Sequence, residues 1–498
     1  MFSPDASGRV WLPDAVAWLW AALSSGSPAL WRSAYDAGLG PPRTVEDVAD
    51  LLGRDGVRWR AQARAGHGWL PAELVAELDG LPQGPQLWLR LLVALDRACD
   101  GLALHEPRLV PELAEIAEAG ILDERGNLAR SGDTLVLRRG SPVPSGGASL
   151  GHYLANLVVL DALVQGAYDV RARALPEDSR LAHRRSAAAG ELVVAFVPVL
   201  DEIEDARFVA RRVGTHARFA LELSPAKQAR LIARAPELVA ELETAGVELA
   251  LLPETCATPA LVEALRQALR RNHRARGCDP SLRLMLVGRL GKQLTLGNPA
   301  GGWVGLPERD LGGVNEVVVL SGAGRTIMTQ RKQQPWRLDG FQIQRYGLEA
   351  AFSERGTLVE RDEDLSLAGG AQLHAVDDAG FGRLIILICE DLQRCDPARQ
   401  IAVHLAPTDV ASPVMDSSLA VHRWACKAAN AVADEPGAVV MVVNSCFMSL
   451  LERRGAPGAV GVGYVAHPAW PVRSTLGKDV VSSDFPYGFK VVRIPRPG

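Results

Sequence analysis

A buried strand that ends in a cysteine is encoded by Leu384-Ile385-Ile386-Leu387-Ile388-Cys389-Glu390-Asp391. Three of its five aliphatic residues are β-branched, which is typical of a strand in a sheet covered on both faces. Open α/β sheets keep their reactive groups at the carboxyl ends of such strands. Because acidic neighbours raise the pKa of a thiol, a nucleophilic Cys389 requires a cation from elsewhere in the chain.

Two further strand ends supply a carboxylate and a cation. The apolar segment 247–252 is closed by a proline, which cannot continue a hydrogen-bonded ladder, so Glu254 is expected to project from the end of that strand. The segment 317–328 predicts a hairpin with its turn at 321–325, and this hairpin leads into Lys332. One glutamate, one lysine and one cysteine therefore follow three predicted strands.

The chain order Glu254, Lys332, Cys389 resembles that of the nitrilase, or carbon–nitrogen hydrolase, superfamily. The resemblance covers about residues 190–490 and implies an α/β fold, a four-layer αββα sandwich over 186–498, in subunits that form homo-oligomers. The Cys-Glu-Asp-Leu motif beginning at Cys389 is most similar to the glutaminase domains of glutamine-dependent NAD synthetases. Four further segments resemble elements of the family: 191–198, 284–288, 423–430 and 439–444.

The resemblance implies a role for each of the three residues. Cys389 attacks a carbonyl carbon and forms a thioester, and Glu254 moves the protons. Lys332 stays charged, lowers the pKa of the thiol and holds the oxyanion together with a backbone N–H that follows Cys389. Glu390 and Asp391 are expected to support the site or bind substrate. No metal and no cofactor is expected, since the histidines lack zinc-type spacing and no Walker-type phosphate loop occurs.

One position departs from the family pattern. Many members carry a second glutamate about a dozen residues after the lysine, and here Gln344 is expected to occupy that place, with a shift to Glu349 as the alternative. Glutamine keeps the hydrogen bonding but cannot carry charge or move a proton. Taken singly, Cys389 is also explained as a buried apolar filler, Glu254 as a solvated strand end and Lys332 as a surface charge. Their combination favours the catalytic interpretation.

Residues 1–185 are expected to form a separate, mainly α-helical, Trp-rich domain and a linker, for which no family is recognised. Seven of the 11 tryptophans precede residue 90, and periodic apolar segments such as 15–23 predict short amphipathic helices. A helix over 153–167 and a charged linker over 171–185 are predicted to complete this region. It is the expected binding surface for a protein partner.

Composition is that of a soluble enzyme, and the expected location is the cytoplasm. The 498 residues are 48% hydrophobic and 22% charged, with a net charge of −4 that gives no general attraction to nucleic acid. The seven cysteines have no CxxC spacing and do not indicate a disulfide framework. No apolar run of the first residues is long enough to span a membrane.

The sequence thus predicts a thiol-dependent hydrolase of a carbon–nitrogen bond, acting on a glutamine-like or other small carboxamide. Two alternatives stay open. The hydrolase domain could be a catalytically weak scaffold that presents residues 1–185 as a sensor or partner-binding module, which Gln344 and the unrecognised N-terminal region favour. The chain could also belong to a prokaryotic defence or signalling system, including antiviral defence, in which it attacks a modified metabolite.

Overall fold

The computed structural model describes most of residues 191–495 and short pieces of the preceding chain. Before residue 191 it describes positions 8, 10–24, 69–70, 129–131, 134–138, 157–160 and 169–174, and a few single positions between 72 and 96. After it, the ranges left out are 214–215, 277–279, 293–312, 355–356, 366–371, 379–381, 395–404, 406, 435–436, 454–459, 468–474, 479–487 and 496–498.

The first large sheet has six strands, and its three central strands are parallel. The predicted hairpin is confirmed, since Gly313–Ser321 pairs antiparallel with Thr326–Arg331. From one edge to the other, the strands are Thr326–Arg331, Gly313–Ser321, Leu284–Lys292, Leu249–Leu251, Glu191–Phe196 and Lys490–Pro495.

The second large sheet has seven strands, again with three parallel strands at its centre. Its edge strand Asp169–Ala174 pairs parallel with Gln372–Asp378, so part of the predicted linker at 171–185 belongs to the sheet. The alternation of polar and small apolar residues in Asp-Val-Arg-Ala-Arg-Ala is typical of a strand and explains the difference. The strands in order are Thr475–Lys478, Val460–Ala466, Val439–Asn444, Asp409–Val414, Gly382–Ile386, Gln372–Asp378 and Asp169–Ala174.

The two sheets pack face to face and are covered by helices on their outer sides. One core cluster joins the inner faces, where Gly463 allows close contact because a Cβ there would lie 2.7 Å from the ring of Phe196. A second cluster joins the outer face of the six-stranded sheet to helices Pro225–Thr244 and Pro259–Arg276. Helix Trp424–Asp434 packs on the seven-stranded sheet. These layers form the four-layer αββα arrangement.

Smaller elements surround the carboxyl ends of the parallel strands. The hairpin formed by Ala206–Val213 and His216–Leu223 follows strand Glu191–Phe196 in the chain. Its second strand contacts the short strand Arg361–Asp362. The remaining short elements are the 3-10 helix Ile203–Asp205, helices Gly340–Arg345, Glu349–Phe352, Glu390–Gln393 and Phe447–Glu452, and strand pairs Arg337–Leu338 with Arg361–Asp362 and Ser353–Glu354 with Thr357–Leu358.

Most of the predicted N-terminal helical domain lies outside the described residues. Helix Leu12–Ser24 confirms the helix predicted at 15–23. The prediction of a helix over 153–167 is wrong at Leu157–Leu160, which is a strand paired antiparallel with Thr134–Arg138. Its Leu-Val-Val-Leu sequence is a short apolar run whose period does not distinguish a helix from a strand. The other described strands here are Val10–Trp11, Trp69–Leu70 and Ala129–Ser131. In the parts of the chain that the structure describes, no helix is long and apolar enough to cross a membrane.

Candidate active site

Glu254, Lys332 and Cys389 lie at the ends of strands from both sheets. Glu254 follows strand Leu249–Leu251, and Lys332 follows strand Thr326–Arg331, both in the six-stranded sheet. Cys389 follows strand Gly382–Ile386 in the seven-stranded sheet. Because the two sheets pack face to face with these ends on the same side, residues far apart in the chain meet in one buried cluster. Each of the three side chains is at least nine-tenths buried.

Glu254 is held by two hydrogen bonds to one of its carboxylate oxygens. Its Oε1 accepts from Lys332 Nζ at 2.8 Å and from Asn315 Nδ2 at 2.7 Å. Its Oε2 is buried and accepts no hydrogen bond from the residues that the structure describes. An unpartnered buried carboxylate oxygen is costly, so its retention indicates a task that a ligand or a proton completes.

The backbone around Glu254 is tightly constrained. Thr255, the next residue, has a φ of +49°, which is uncommon for a residue with a side chain. On the neighbouring strand, Gly288 accepts hydrogen bonds at its carbonyl from the N–H groups of Cys256 and Ala257. A Cβ at Gly288 would clash with the carbonyl of Pro253, so glycine is required for this approach. The turn thereby holds the carboxylate in one position.

Lys332 has a second carboxylate partner, Glu363, which sequence reasoning missed. Its Nζ donates to Glu363 Oε2 at 2.7 Å, and Asn315 Nδ2 bridges the two glutamates by donating to Glu363 Oε1 at 2.8 Å. Gln344, expected in this place, is exposed on helix Gly340–Arg345, and Glu349 is also exposed. Spacing along the chain does not indicate Glu363, because two short helices and two strand pairs lie between it and the lysine.

The positions of Asn315 and Glu363 carry weak signals in the sequence. Glu363 stands in the acidic run Glu360–Asp364, which by itself indicates a solvated segment. Asn315 opens the apolar strand Gly313–Ser321, and its carbonyl accepts the Lys332 backbone N–H at 2.9 Å. Polar residues such as Asn315 in an otherwise apolar strand indicate that part of the strand faces a polar site.

Cys389 occupies a strained turn between its strand and the short helix Glu390–Gln393. Its φ of +50° and ψ of −105° lie outside the usual regions for a residue with a Cβ. The conformation is held by its N–H, which donates to the Pro413 carbonyl at 3.1 Å, and by its carbonyl, which accepts from Leu392 N–H at 2.9 Å. Backbone strain of this kind clusters at active sites, where the surrounding structure maintains it.

Burial and charge set the protonation states of the cluster. Burial and the charge of Glu254 raise the pKa of the Cys389 thiol well above its ordinary value, although Lys332 and the Met415 backbone N–H act in the opposite direction. Burial also raises the pKa of Glu254, against the effect of Lys332. Burial alone would lower the pKa of Lys332, but Glu254 and Glu363 hold it well above its ordinary value. The two carboxylates thus favour the charged form of Lys332, and burial favours the protonated form of the Cys389 thiol.

Asp391 and Glu390 lie beside the cluster and do not form hydrogen bonds with its members. Asp391 is buried and accepts the backbone N–H groups of Gln333 at 3.1 Å and Gln334 at 2.8 Å, which ties the cysteine turn to the segment after Lys332. Burial raises the pKa of Asp391 to about 7. Glu390 is half-buried and pairs with Arg394 at 3.2 Å. Asp391 thus fixes the cysteine turn relative to the segment after Lys332, whereas Glu390 forms an ion pair with a partly exposed arginine.

A cavity of about 810 Å³ adjoins the cluster, and its lining includes Asn315, Lys332 and Glu363. Cys389 is not part of the lining. Met415 connects the two, because it lines the cavity and its backbone N–H hydrogen-bonds to the Cys389 sulfur. A molecule in the cavity therefore meets the lysine directly. Among the described residues, no group of three or more His, Cys, Asp or Glu side chains could hold a metal ion.

Known proteins similar to this chain are found by structure. No protein-family model matches the sequence, and no curated protein matches it. An amidase from Nesterenkonia sp. is 17% identical, with 62% of this chain and 93% of the amidase covered and a TM-score of 0.33. Nit3 of Saccharomyces cerevisiae, a member of the nitrilase superfamily, is 13% identical over 62% of this chain and 93% of its own, with a TM-score of 0.35.

The glutamine-dependent NAD+ synthetase from Acinetobacter baumannii is also similar in structure. It is 11% identical, with 61% of this chain and 45% of the synthetase covered and a TM-score of 0.34. Nit3 and the Nesterenkonia amidase both belong to the nitrilase superfamily, the superfamily that the sequence resembles.

Proposed function

We propose that this protein hydrolyses the carbon–nitrogen bond of a primary carboxamide through a thioester on Cys389. The supporting observation is the match between an amide group and the unused hydrogen-bonding groups of the cluster. Lys332 Nζ has three N–H donors, of which Glu254 and Glu363 take two. In the described part of the chain, the buried atoms Glu254 Oε2 and Asn315 Oδ1 accept no hydrogen bond. One donor and two acceptors complement the one carbonyl and two N–H groups of a primary amide.

The first half-reaction forms the thioester. The Cys389 sulfur attacks the carbonyl carbon while its proton moves to Glu254 Oε2, and the carbonyl electron pair moves to the oxygen. The third N–H of Lys332 and the backbone N–H of Glu390 stabilise that oxyanion, each such donor being worth about 3 kcal/mol of barrier. Because the pKa of the thiol is raised, attack and proton transfer to Glu254 occur together and not from a preformed thiolate.

Collapse of the tetrahedral intermediate completes the thioester: Glu254 passes its proton to the amide nitrogen, the carbon–nitrogen bond breaks and ammonia leaves. The second half-reaction releases the acid. Glu254, again ionised, takes a proton from water, whose oxygen attacks the thioester and displaces the sulfur. The sulfur regains a proton from Glu254. Glu363 and Asn315 act as positioning residues through Lys332 and Glu254, since their hydrogen bonds hold both groups in place.

The experiment that tests this function is intact-protein mass spectrometry after incubation with a panel of primary amides and acid quenching. We expect an acyl adduct that maps to Cys389 by peptide analysis, together with ammonia release. Neither adduct nor ammonia from any amide, with a folded sample, would contradict the proposal. Acrylamide serves as an additional probe, because its alkene alkylates a reactive thiol irreversibly.

The raised pKa of the thiol predicts the pH dependence of its alkylation. In the absence of substrate, the rate of Cys389 modification by iodoacetamide should rise with pH beyond the ordinary thiol range of about 8.5, since only the thiolate reacts. Peptide mass spectrometry of samples quenched at successive times measures the rate at each pH. A plateau that begins below about pH 7 would instead show a preformed thiolate paired with Lys332.

Glu363 and Gln344 provide a matched pair of substitutions. Glu363→Gln should lower kcat/KM for an amide by about a hundredfold or more, because the buried lysine loses one of its two carboxylates. Gln344→Glu, on an exposed helical position, should leave kcat/KM within about twofold of the wild-type value. The opposite pattern, with Gln344→Glu raising activity and Glu363→Gln without effect, would instead support Gln344 as the residue in the place of the family's second glutamate.

The scaffold alternative rests on two observations, Gln344 in place of a family glutamate and the unrecognised residues 1–185. The contact of Glu363 with Lys332 weighs against the first, and the second stands. Homo-oligomer formation, a protein partner for residues 1–185 and a role in defence or signalling remain predictions.

A further inference from the structure

The cavity beside Lys332 has an aromatic wall. Five aromatic side chains line it, and we call them the aromatic cluster: Phe208, Phe219, Trp336, Tyr346 and Phe447. Phe208 stacks on Tyr346 with ring centroids 4.4 Å apart and an interplanar angle of 26°. Trp336 meets Phe219 edge to face at 5.4 Å. Trp336 and Tyr346 are half-buried, and both line the cavity.

Hydrogen bonds tie the aromatic cluster to the lysine. The Trp336 backbone N–H donates to Glu363 Oε2 at 3.1 Å, the same oxygen that Lys332 Nζ contacts. The Glu363 N–H in turn donates to the Trp336 carbonyl at 2.8 Å. On strand His216–Leu223, the Phe219 carbonyl accepts a hydrogen bond from Asp364 N–H at 2.7 Å. A group that packs on the cluster therefore stands at a set position relative to the oxyanion donor.

The charged residues of the lining compensate each other. The lining contains four cationic side chains, three of them arginines, and four carboxylates, so its formal charge is zero. Arg207 pairs with Glu222 at 2.8 Å, and Arg345 pairs with Glu452 at 3.0 Å. The third arginine lies 3.9 Å from Asp364. An anionic substrate group, such as the α-carboxylate of glutamine, would have to compete with a carboxylate already beside each arginine.

We infer that the preferred substrate is an uncharged primary amide whose acyl chain ends in an aromatic ring, rather than glutamine. This inference rests on the function proposed above and specifies its substrate class. A cavity of about 810 Å³ lies within the range of about 300–1,000 Å³ that drug-sized ligands occupy. The ring packs on the aromatic cluster, edge to face or offset, and the carboxamide lies at Lys332. Aromatic packing supplies the binding energy that a charged group would otherwise supply.

The test compares kcat/KM for 3-phenylpropionamide, propionamide and glutamine, with ammonia release as the readout. We expect 3-phenylpropionamide to exceed each of the other two by at least about tenfold, mainly through a lower KM. Trp336→Leu and Tyr346→Leu should each lower the ratio of phenylpropionamide to propionamide activity by about fivefold to tenfold. Phe341→Leu is the matched control, because Phe341 is an aromatic residue of the same segment that is 64% exposed outside the lining; it should leave the ratio unchanged.

A binding measurement separates failure of this inference from failure of the proposed function. Titration calorimetry with the Cys389→Ala variant measures the affinity for 3-phenylpropionamide and for glutamine without turnover. Tighter binding of the aromatic amide, weakened by Tyr346→Leu, supports the inference even if no turnover is found. Equal or tighter binding of glutamine overturns it, and hydrolysis of glutamine through Cys389 in the same samples would show that the proposed function stands without it.

Discussion

Replacing Cys389 with alanine should lower the turnover number for an amide by at least about a thousandfold. The thioester cannot form without the sulfur, and water held by Glu254 is a poorer nucleophile for an amide. Folding should be preserved, since alanine keeps the Cβ and meets the same backbone strain as cysteine at the φ of +50°. The unfolding free energy should stay within about 1 kcal/mol of the wild-type value. Ammonia release and denaturant unfolding measure the two quantities.

Cys426 provides the control for this experiment. It is also a buried cysteine, on helix Trp424–Asp434, where its sulfur contacts the Leu419 carbonyl at 3.4 Å. Cys426→Ala likewise removes one buried thiol group and should leave turnover within about twofold of the wild-type value. If Cys389→Ala kept a tenth or more of the wild-type turnover, the sulfur would not be the nucleophile.

Replacing Lys332 with methionine should remove activity and also destabilise the fold. The side chain of Lys332 is 1% exposed and neutralises two carboxylates, one of which is equally buried. Breaking a buried ion pair by removing one partner costs about 3–5 kcal/mol, because the remaining charges stay in the low-dielectric interior. Turnover should fall by at least about a thousandfold, since the oxyanion donor is lost together with the position of Glu254.

The loss of stability in Lys332→Met should depend on pH in a defined direction. Burial already raises the pKa of Glu254 and Lys332 lowers it, so removing the lysine raises it further, and the folded variant binds a proton that the unfolded chain has released. Stability from such groups is present below the unfolded pKa of about 4.3 and is lost as the pH rises through the folded pKa. The deficit relative to wild type should therefore be smaller at about pH 5 than at about pH 8.

Urea unfolding of the variant and the wild type at both pH values measures this deficit. Lys427→Met, at an exposed position of helix Trp424–Asp434, is the matched control and should change stability by less than about 0.5 kcal/mol at either pH. The double variant Lys332→Met with Glu254→Gln should recover part of the lost stability, because one buried charge is removed. A deficit independent of pH would mean that Lys332 contributes through packing and not through its charge.

The sequence by itself determined the strands and the three residues at their ends. A run such as Leu384–Ile388 has one low-energy place in a globular protein, the interior of a covered sheet, so its location follows from composition. A proline after an aliphatic run ends a strand for a local steric reason, which placed Glu254. The hairpin that leads to Lys332 followed from its turn residues. These are properties of contiguous segments, and no distant contact is needed to infer them.

Short segments with ambiguous patterns were decided by their neighbours. Leu157–Leu160 is a strand because it pairs with Thr134–Arg138, although its apolar run also fits a helix. Strand Asp169–Ala174 completes the seven-stranded sheet only because Gln372–Asp378 offers an edge about two hundred residues later in the chain. Pairing with a distant partner overrides local propensity in such segments, and a single sequence does not contain the partner's position.

Only the tertiary structure decided which groups surround the lysine and how they are charged. Glu363 reaches Lys332 because the chain returns through two short helices and two strand pairs, whereas spacing alone pointed to Gln344. Asn315 on the neighbouring strand contacts both glutamates. The sequence placed a cation near the thiol and predicted a lowered pKa, but burial and Glu254 outweigh that cation. The burial of a titratable group and its distance from other charges depend on the three-dimensional structure. The strands could therefore be predicted from contiguous segments, whereas the protonation chemistry of the site could not.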